Sequence, residues 1–256
     1  MIKRVLKKIK TDGLLALCIA IIKYPFQYQK RKAYKKMLTL ANPKDRFTEI
    51  YKKNLWSSKE SLSGEGSEVA HTELIRNWLI KNITKLNVKN FVDTPCGDYN
   101  WMKLVVPQVD INYIGIDIVD SMINKNKLEY GSSKVNFRIG NICEDLLPDC
   151  DIIMVRDFLF HLSFQEINKF LVNIRRTNYK YLLTSTHIVD QDFNNSDIIT
   201  GDFRLIDLFS NPFNFDPKLL IDRISDNPKS SPAIREMILV EKKFVPISLS
   251  NKILDS

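Results

Sequence analysis

Asp93-Thr94-Pro95-Cys96-Gly97-Asp98, with Trp101 and Met102 just beyond, puts two carboxylates, a proline, a thiol and a glycine directly after the apolar pair Phe91-Val92. The chain has only 8 glycines, and one is spent here. A dinucleotide site uses G-x-G-x-x-G so that backbone N–H groups can approach a pyrophosphate, and phosphates are repelled by nearby acids. This turn, with one glycine and two acids, suits a ligand that carries cationic groups instead. Asp117 ends the run NYIGID, 24 residues after Asp93. A carboxylate there is placed to accept hydrogen bonds from ribose hydroxyls. An adenosine bearing a sulfonium and an amino group, S-adenosylmethionine, matches both features.

Other candidates end the later apolar runs: Asn141-Ile142 after VNFRIGN, Arg156-Asp157 after DIIMV, and His187 at the end of YLLTSTH. Asp157 is expected to fix the ligand amino group or orient an acceptor, the alternative being an ion pair with Arg156 alone. Were a sulfonium ligand to give up its methyl group, the step would be an in-line displacement, in which alignment and exclusion of water supply most of the rate. A base is required only if the acceptor must lose a proton. His161, in RDFLFHLS, and His187 are the candidates, each weighed against a structural role; His71 reads as a solvated residue of an early helix. Arg204, with Asp202 in GDFRLIDL, is the cation for an anionic acceptor or else an ordinary surface arginine. The loop SLSGEGS, with Ser63 and Gly64, is expected to close over the ligand or to be a plain linker. Cys96 has no histidine near it in sequence and no activating partner.

These residues need a sheet to hold them. With 256 residues and 44% apolar content the chain can bury a full core. VKNFVDT, NYIGIDI, VNFRIGN, DIIMVRD and YLLTSTH are strand-like runs alternating with helical segments such as SFQEINKFLVNIRR, which predicts a doubly wound sheet parallel through its first five strands. LLIDRIS and EMILVEKKFV are further candidate strands. Ligands in such sheets bind beyond the carboxyl ends of the strands. Ser67 is a candidate N-cap for a helix carrying Val69, Leu74, Ile75, Leu79 and Ile83. Residues 31–53 read as helix broken at Asn42-Pro43.

The net charge of +8 sits unevenly. Residues 1–60 hold 16 Lys/Arg against 4 Asp/Glu, leaving 22 against 26 for residues 61–256. The main domain therefore lacks the positive face of a nucleic-acid enzyme, and nucleic acid is disfavoured as a partner. Residues 1–60 form a predicted basic helical N-terminal extension and 61–256 the main domain. MIKRVLKKIK is amphipathic at helical spacing, and LLALCIAII is too short to span a bilayer. The pair is a candidate for peripheral membrane contact through residues 1–30, the alternative being an arm packed on the domain. Four cysteines without a CxxC pair favour reduced thiols and a cytoplasmic location, at the inner membrane face if the arm binds lipid. No metal-ligand spacing is present.

The quoted motifs resemble those of class I S-adenosylmethionine-dependent methyltransferases, and within them a bacterial subgroup with a D-x-P-C-G-D-x-x-W-M first motif. SLSGEGS, GIDIV, RDFLFHLS and GDFRLIDLFSNPF agree with it in order, from about Phe47 to the C-terminus. The resemblance implies a Rossmann-like α/β fold, a mostly parallel seven-stranded sheet, with S-adenosyl-L-methionine as cofactor. It places Asp93 as organiser of the first turn, Gly97 as the glycine passing close to the ligand, and Pro95 where a glycine is more common. Asp98 and Trp101 then flank the methionine end. Asp117 and Ile118 hold ribose and one adenine face. Asn141, beside Ile142, stands where an acid is more usual and accepts from the adenine amino group. Cys96 becomes a small packed residue. The subgroup's association with bacterial surface polysaccharides, such as capsule, implies a small-molecule or glycan acceptor: a sugar hydroxyl, a phosphate-like group or an amino substituent. The competing readings are a non-catalytic or membrane-tethered scaffold that binds the cofactor, and an RNA methyltransferase.

Overall fold

The computed structural model describes residues 28–226 and 233–249. MIKRVLKKIK, LLALCIAII and the Pro/Ser linker at 227–232 lie outside the described residues, as does the proposed membrane contact. None of the helices among the described residues is long and apolar enough to cross a membrane.

Seven strands form one sheet in the order β3-β2-β1-β4-β5-β7-β6. They are β1 (Asn90–Asp93), β2 (Asn112–Asp117), β3 (Val135–Ile139), β4 (Ile152–Val155), β5 (Tyr181–His187), β6 (Leu220–Ser225) and β7 (Arg235–Glu241). The first five are parallel, as their alternation with helices predicts, and β7 runs antiparallel to both β5 and β6. Chain order reverses between β1 and β4, which opens a crevice at their carboxyl ends.

Successive residues along the strands serve opposite faces. Val92, Ile153, Val155, Leu182, Ile238 and Val240 join one buried cluster with Ile167, Phe170 and Ile174 of α5 (Phe164–Ile174). Phe91, Ile152, Met154, Leu183, Met237 and Leu239 join the other with Ile75, Leu79 and Ile83 of α3 (Glu73–Lys85). A strand apolar on both sides is the mark of a sheet covered twice, which is why β4 is buried throughout. Ser163 caps α5, accepting from the Glu166 N–H at 3.2 Å.

Two expectations change. The helix after the polar loop starts at Glu73, not after Ser67; two short 3₁₀ turns precede it, and Leu74 lies outside the core. The connection from β1 to β2 contains no α-helix, only 3₁₀ turns at Met102–Leu104 and Val106–Gln108, where Val105, Val106 and Pro107 disfavour a longer helix. The described part of the N-terminal extension packs on the main domain. The helical residues 28–38 (α1) and α2 (Pro43–Lys52) place Met37, Phe47 and Ile50 in the same cluster as α5. The predicted break does fall at Asn42-Pro43, with Asn42 Oδ1 accepting from the Asp45 N–H and Pro43 opening α2.

Ile50 is fully buried between this extension and the domain. Ile50→Ala is expected to destabilise the whole domain by about 2–4 kcal/mol in urea unfolding, with one transition. A second, independent transition would show that the extension folds apart.

Candidate functional site

The turn after β1 is held from both sides. Thr94 N donates to Met154 O of β4, and Cys96 N to Ile116 O of β2, both at 2.9 Å. The Thr94–Pro95 bond is cis. Gly97 has φ +56°, and a Cβ there would collide with Ser63 Oγ, so the position requires glycine. Gly97 N donates to Asp117 Oδ2 at 3.1 Å and Val119 N to Asp117 Oδ1 at 3.0 Å. The acid at the end of β2 thus ties itself to the first turn. Burial pushes the Asp117 carboxyl up to about 6, against the backbone N–H groups that favour its ionised form. Asp93 is more strongly affected: burial pushes it up to about 7, although Tyr113 O–H donates to its Oδ2 at 2.7 Å and Arg156 is near.

Beyond β4 lies a buried group of four charges. Arg156 makes a bidentate pair with Asp226, Nε to Oδ2 at 2.8 Å and Nη2 to Oδ1 at 2.9 Å, and its Nη2 also donates to Gly66 O at 2.8 Å. Arg235 Nη1 reaches Asp157 Oδ1 at 2.9 Å, and Arg156 Nη1 lies 3.5 Å from Asp157 Oδ2. Burial alone would raise the Asp157 carboxyl, but Arg156 and Arg235 flank it and hold it below the usual carboxylate range. Asp226, deeper, is raised by burial. Asp157 has φ +55° and its N–H donates to Ser185 Oγ at 2.9 Å. Such strain in a non-glycine residue is found where the surroundings over-determine it.

A cleft of about 960 Å³, counting the space at its mouth, runs along these strand ends. Asp93, Pro95, Gly97, Trp101, Asp117, Ile118, Asn141, Ile142, Asp157 and Ser63 all line it. Cys96 lines it as well, but burial pushes its thiol far above the range of a reactive cysteine. Asn141 Oδ1 already accepts from Cys143 N at 3.0 Å, within its own turn.

Other expected residues stand elsewhere. Asp98 does not line the cleft; its carboxylate accepts from Ser61 Oγ, Leu62 N and Ser63 Oγ and so pins the loop. Gly64 packs on Trp56 behind the lining. His161 donates from Nδ1 to Asp202 O at 2.8 Å and stacks on Trp56, a residue of the cleft wall, without itself lining the cleft. His187 is buried against Phe160 and Phe203, its Nδ1 accepting from Ile206 N. Burial lowers both imidazoles, His187 to about 4. Arg204 is turned inward, with Nη1 on Leu162 O and its guanidinium over Phe164. Asp202 Oδ1 accepts from its neighbour Phe203 N and faces Tyr34. His71 sits at the end of a 3₁₀ turn, its Nδ1 on Glu65 O. The expected catalytic role of the two histidines and the expected acceptor contacts of Arg204 and Asp202 therefore have no geometric support.

Sequence reasoning missed Phe47, Tyr51, Trp56, Phe158 and Glu166, all of which line the cleft. Phe47 and Tyr51 are one helical turn apart in α2, a spacing that was legible but reads equally as core. SLSGEGS does lie against the site. A Cβ on Gly66 would collide with Asp157 Oδ2, so this backbone passes directly over the carboxylate.

Residues 92–178 match the family model described as a methyltransferase domain. A search of curated proteins finds no match. Among solved structures, the 1,6-didemethyltoxoflavin-N1-methyltransferase of Burkholderia thailandensis, with bound 1,6-didemethyltoxoflavin and S-adenosylhomocysteine, is similar at 13% identity and TM-score 0.59, over 79% of this chain and 91% of that one. PigF with S-adenosylhomocysteine is similar at 14% identity and TM-score 0.54, over 90% and 73%. The magnesium protoporphyrin IX methyltransferase of Synechocystis PCC 6803 follows at 12% and 0.50, over 87% and 99%. At such identities the likeness is one of fold.

The Tyr113 hydrogen bond favours ionised Asp93, so Tyr113→Phe is expected to raise the Asp93 titration above about 7. Carboxyl ¹³C NMR against pH would read the shift, and an unchanged midpoint would remove Tyr113 from the account.

Proposed function

We propose, for a chain whose residues 92–178 match a methyltransferase-domain model, an enzyme that moves a methyl group from S-adenosylmethionine to a small-molecule acceptor. The observation that carries this reading is the Gly97 N–H donating to Asp117 across the head of the cleft, with Asp93, held by the Tyr113 hydroxyl, lining the same cleft. Two acids beside a glycine suit a cationic nucleoside. With no α-helix after β1, no helix N-terminus meets a pyrophosphate there.

The residues present fit the cofactor. Asp117 would take the ribose hydroxyls with the lone pairs left after Gly97 N and Val119 N. Ile118 and Ile142 offer apolar faces to a purine, and Asp93, Trp101 and Ser63 line the end suited to the methionine group. When bound, S-adenosylmethionine supplies an electrophilic methyl group on sulfur. The protein's part is to align an acceptor with it and keep water out, which α2, Trp56 and the loop at 61–67 do by walling the cleft.

The finer acceptor class rests on the sequence. The resemblance carried by DTPCGDYNWM and GDFRLIDLFSNPF supports a sugar hydroxyl, a phosphate-like group or an amino substituent on a precursor of a bacterial surface polysaccharide, within the same reading.

S-Adenosylhomocysteine is expected to bind in calorimetry and to lose binding on Asp117→Ala and Gly97→Leu. Asp117 and Asp93 titrate at about 6 and about 7 in the free protein, and the ligand needs their ionised forms. Affinity should therefore fall as pH drops, about tenfold between pH 8 and pH 5 if Asp117 alone governs it. No binding by folded protein at pH 8 would reject the reading.

A further inference from the structure

Asp93 and Asp117 are committed to the turn, which leaves Asp157, against the loop backbone at Gly66, as the next acid of the lining. Its side chain keeps 18% of its surface exposed, whereas that of Arg156 keeps 4% and that of Arg235 8%. Every nitrogen of the Arg156 guanidinium is engaged: Nε and Nη2 by Asp226, Nη2 also by Gly66 O, and Nη1 beside Asp157. Arg235 is not part of the lining and is spent on Asp157 and Asp226. Glu166, the remaining acid of the lining, is paired with Lys169 at 2.7 Å. The two histidines near this end are held neutral by burial and lie behind aromatic rings. Among the described lining residues no cation is left to meet an anion.

The wall on the same side is aromatic. Trp56, Phe47, Tyr51 and Phe158 line it, and Trp56 Nε1 is buried with no hydrogen-bond partner. Ring faces of this kind hold a flat or apolar molecular face.

We infer that the cleft beside Asp157 is an acceptor subsite that takes an uncharged or cationic hydrogen-bond donor, an amine or a hydroxyl, borne on a ring, and that turns away carboxylates and phosphates. This rests on the methyltransferase reading and narrows it: the phosphate-like acceptors allowed by the sequence are excluded. Asp226 and Arg235, brought from β6 and β7, are positioning residues. They neutralise Arg156 and fix Asp157 so that its carboxylate meets the acceptor N–H or O–H. Removing the Asp157 charge releases two arginines and reverses the preference.

The test uses the full chain saturated with S-adenosylhomocysteine and three probes in ligand-observed NMR titrations: benzylamine, benzyl alcohol and benzoate. The wild type is expected to bind the amine and the alcohol about tenfold or more tightly than benzoate. Asp157→Asn is expected to gain benzoate binding, a change that misfolding cannot produce, while still binding S-adenosylhomocysteine. Asp226→Asn should weaken the wild-type preference without abolishing cofactor-product binding. Benzoate bound as tightly as benzylamine, an unchanged ratio in Asp157→Asn, or no binding of any probe would overturn the subsite. Failure of S-adenosylhomocysteine itself to bind would instead overturn the methyltransferase reading on which it rests.

Discussion

Three carboxylates, Asp93, Asp117 and Asp157, are taken out of water at the carboxyl ends of adjacent strands, and the surrounding structure is arranged to make that tolerable. Burying an acid without compensation protonates it or destabilises the fold. The chain answers differently at each position. Asp93 receives a tyrosine hydroxyl and Asp117 two backbone N–H groups, and both still titrate near neutrality. Asp157 receives two arginines and stays ionised. The first two are poised to gain from a cationic ligand. The third is a fixed negative charge.

The fixed charge explains why β6 and β7 matter to a site at the centre of the sheet. Asp226 follows β6 and Arg235 opens β7, and together they complete the buried quartet with Arg156 and Asp157. Removing one member of such a buried group typically costs about 3–5 kcal/mol, because a charge is left unpaired. The same quartet holds the loop, since Arg156 grips Gly66 O while Asp98 grips residues 61–63. The turn after β1, the loop at 61–66 and Arg156-Asp157 are thereby linked through hydrogen bonds and ion pairs.

Much of this was legible in the sequence because polarity changes abruptly where these strands end. Phe91-Val92 before Asp93, the run before Asp117 and the apolar residues before Arg156-Asp157 each announce a strand terminus. The alternation of strands and helices announced the parallel sheet. The errors have a common cause: a position at a strand end gives depth in the fold, not the direction of the side chain. His187 ends β5 as expected, but the distant segment at Ile206 pairs with it, its N–H meeting His187 Nδ1 and its carbonyl the His187 N–H. Arg204 belongs to that segment and is drawn inward with it. Nor could composition show that α2 walls the cleft, because a basic helix with Phe47 and Tyr51 one turn apart reads the same whether it packs on a core or on a ligand site.

The account's central claim is that the acid-lined turn serves methyl transfer. The most direct measurement incubates the full chain with methyl-labelled S-adenosylmethionine and fractionated cell extract, including sugar and glycan precursors, beside an Asp117→Ala control. The account predicts that mass spectrometry finds the label, as a gain of one methyl group, on a hydroxyl or amine of a small molecule or glycan precursor, and only with the unaltered protein. Label transferred equally by the Asp117→Ala protein, or no transfer from any fraction by a protein that binds the cofactor, would contradict it.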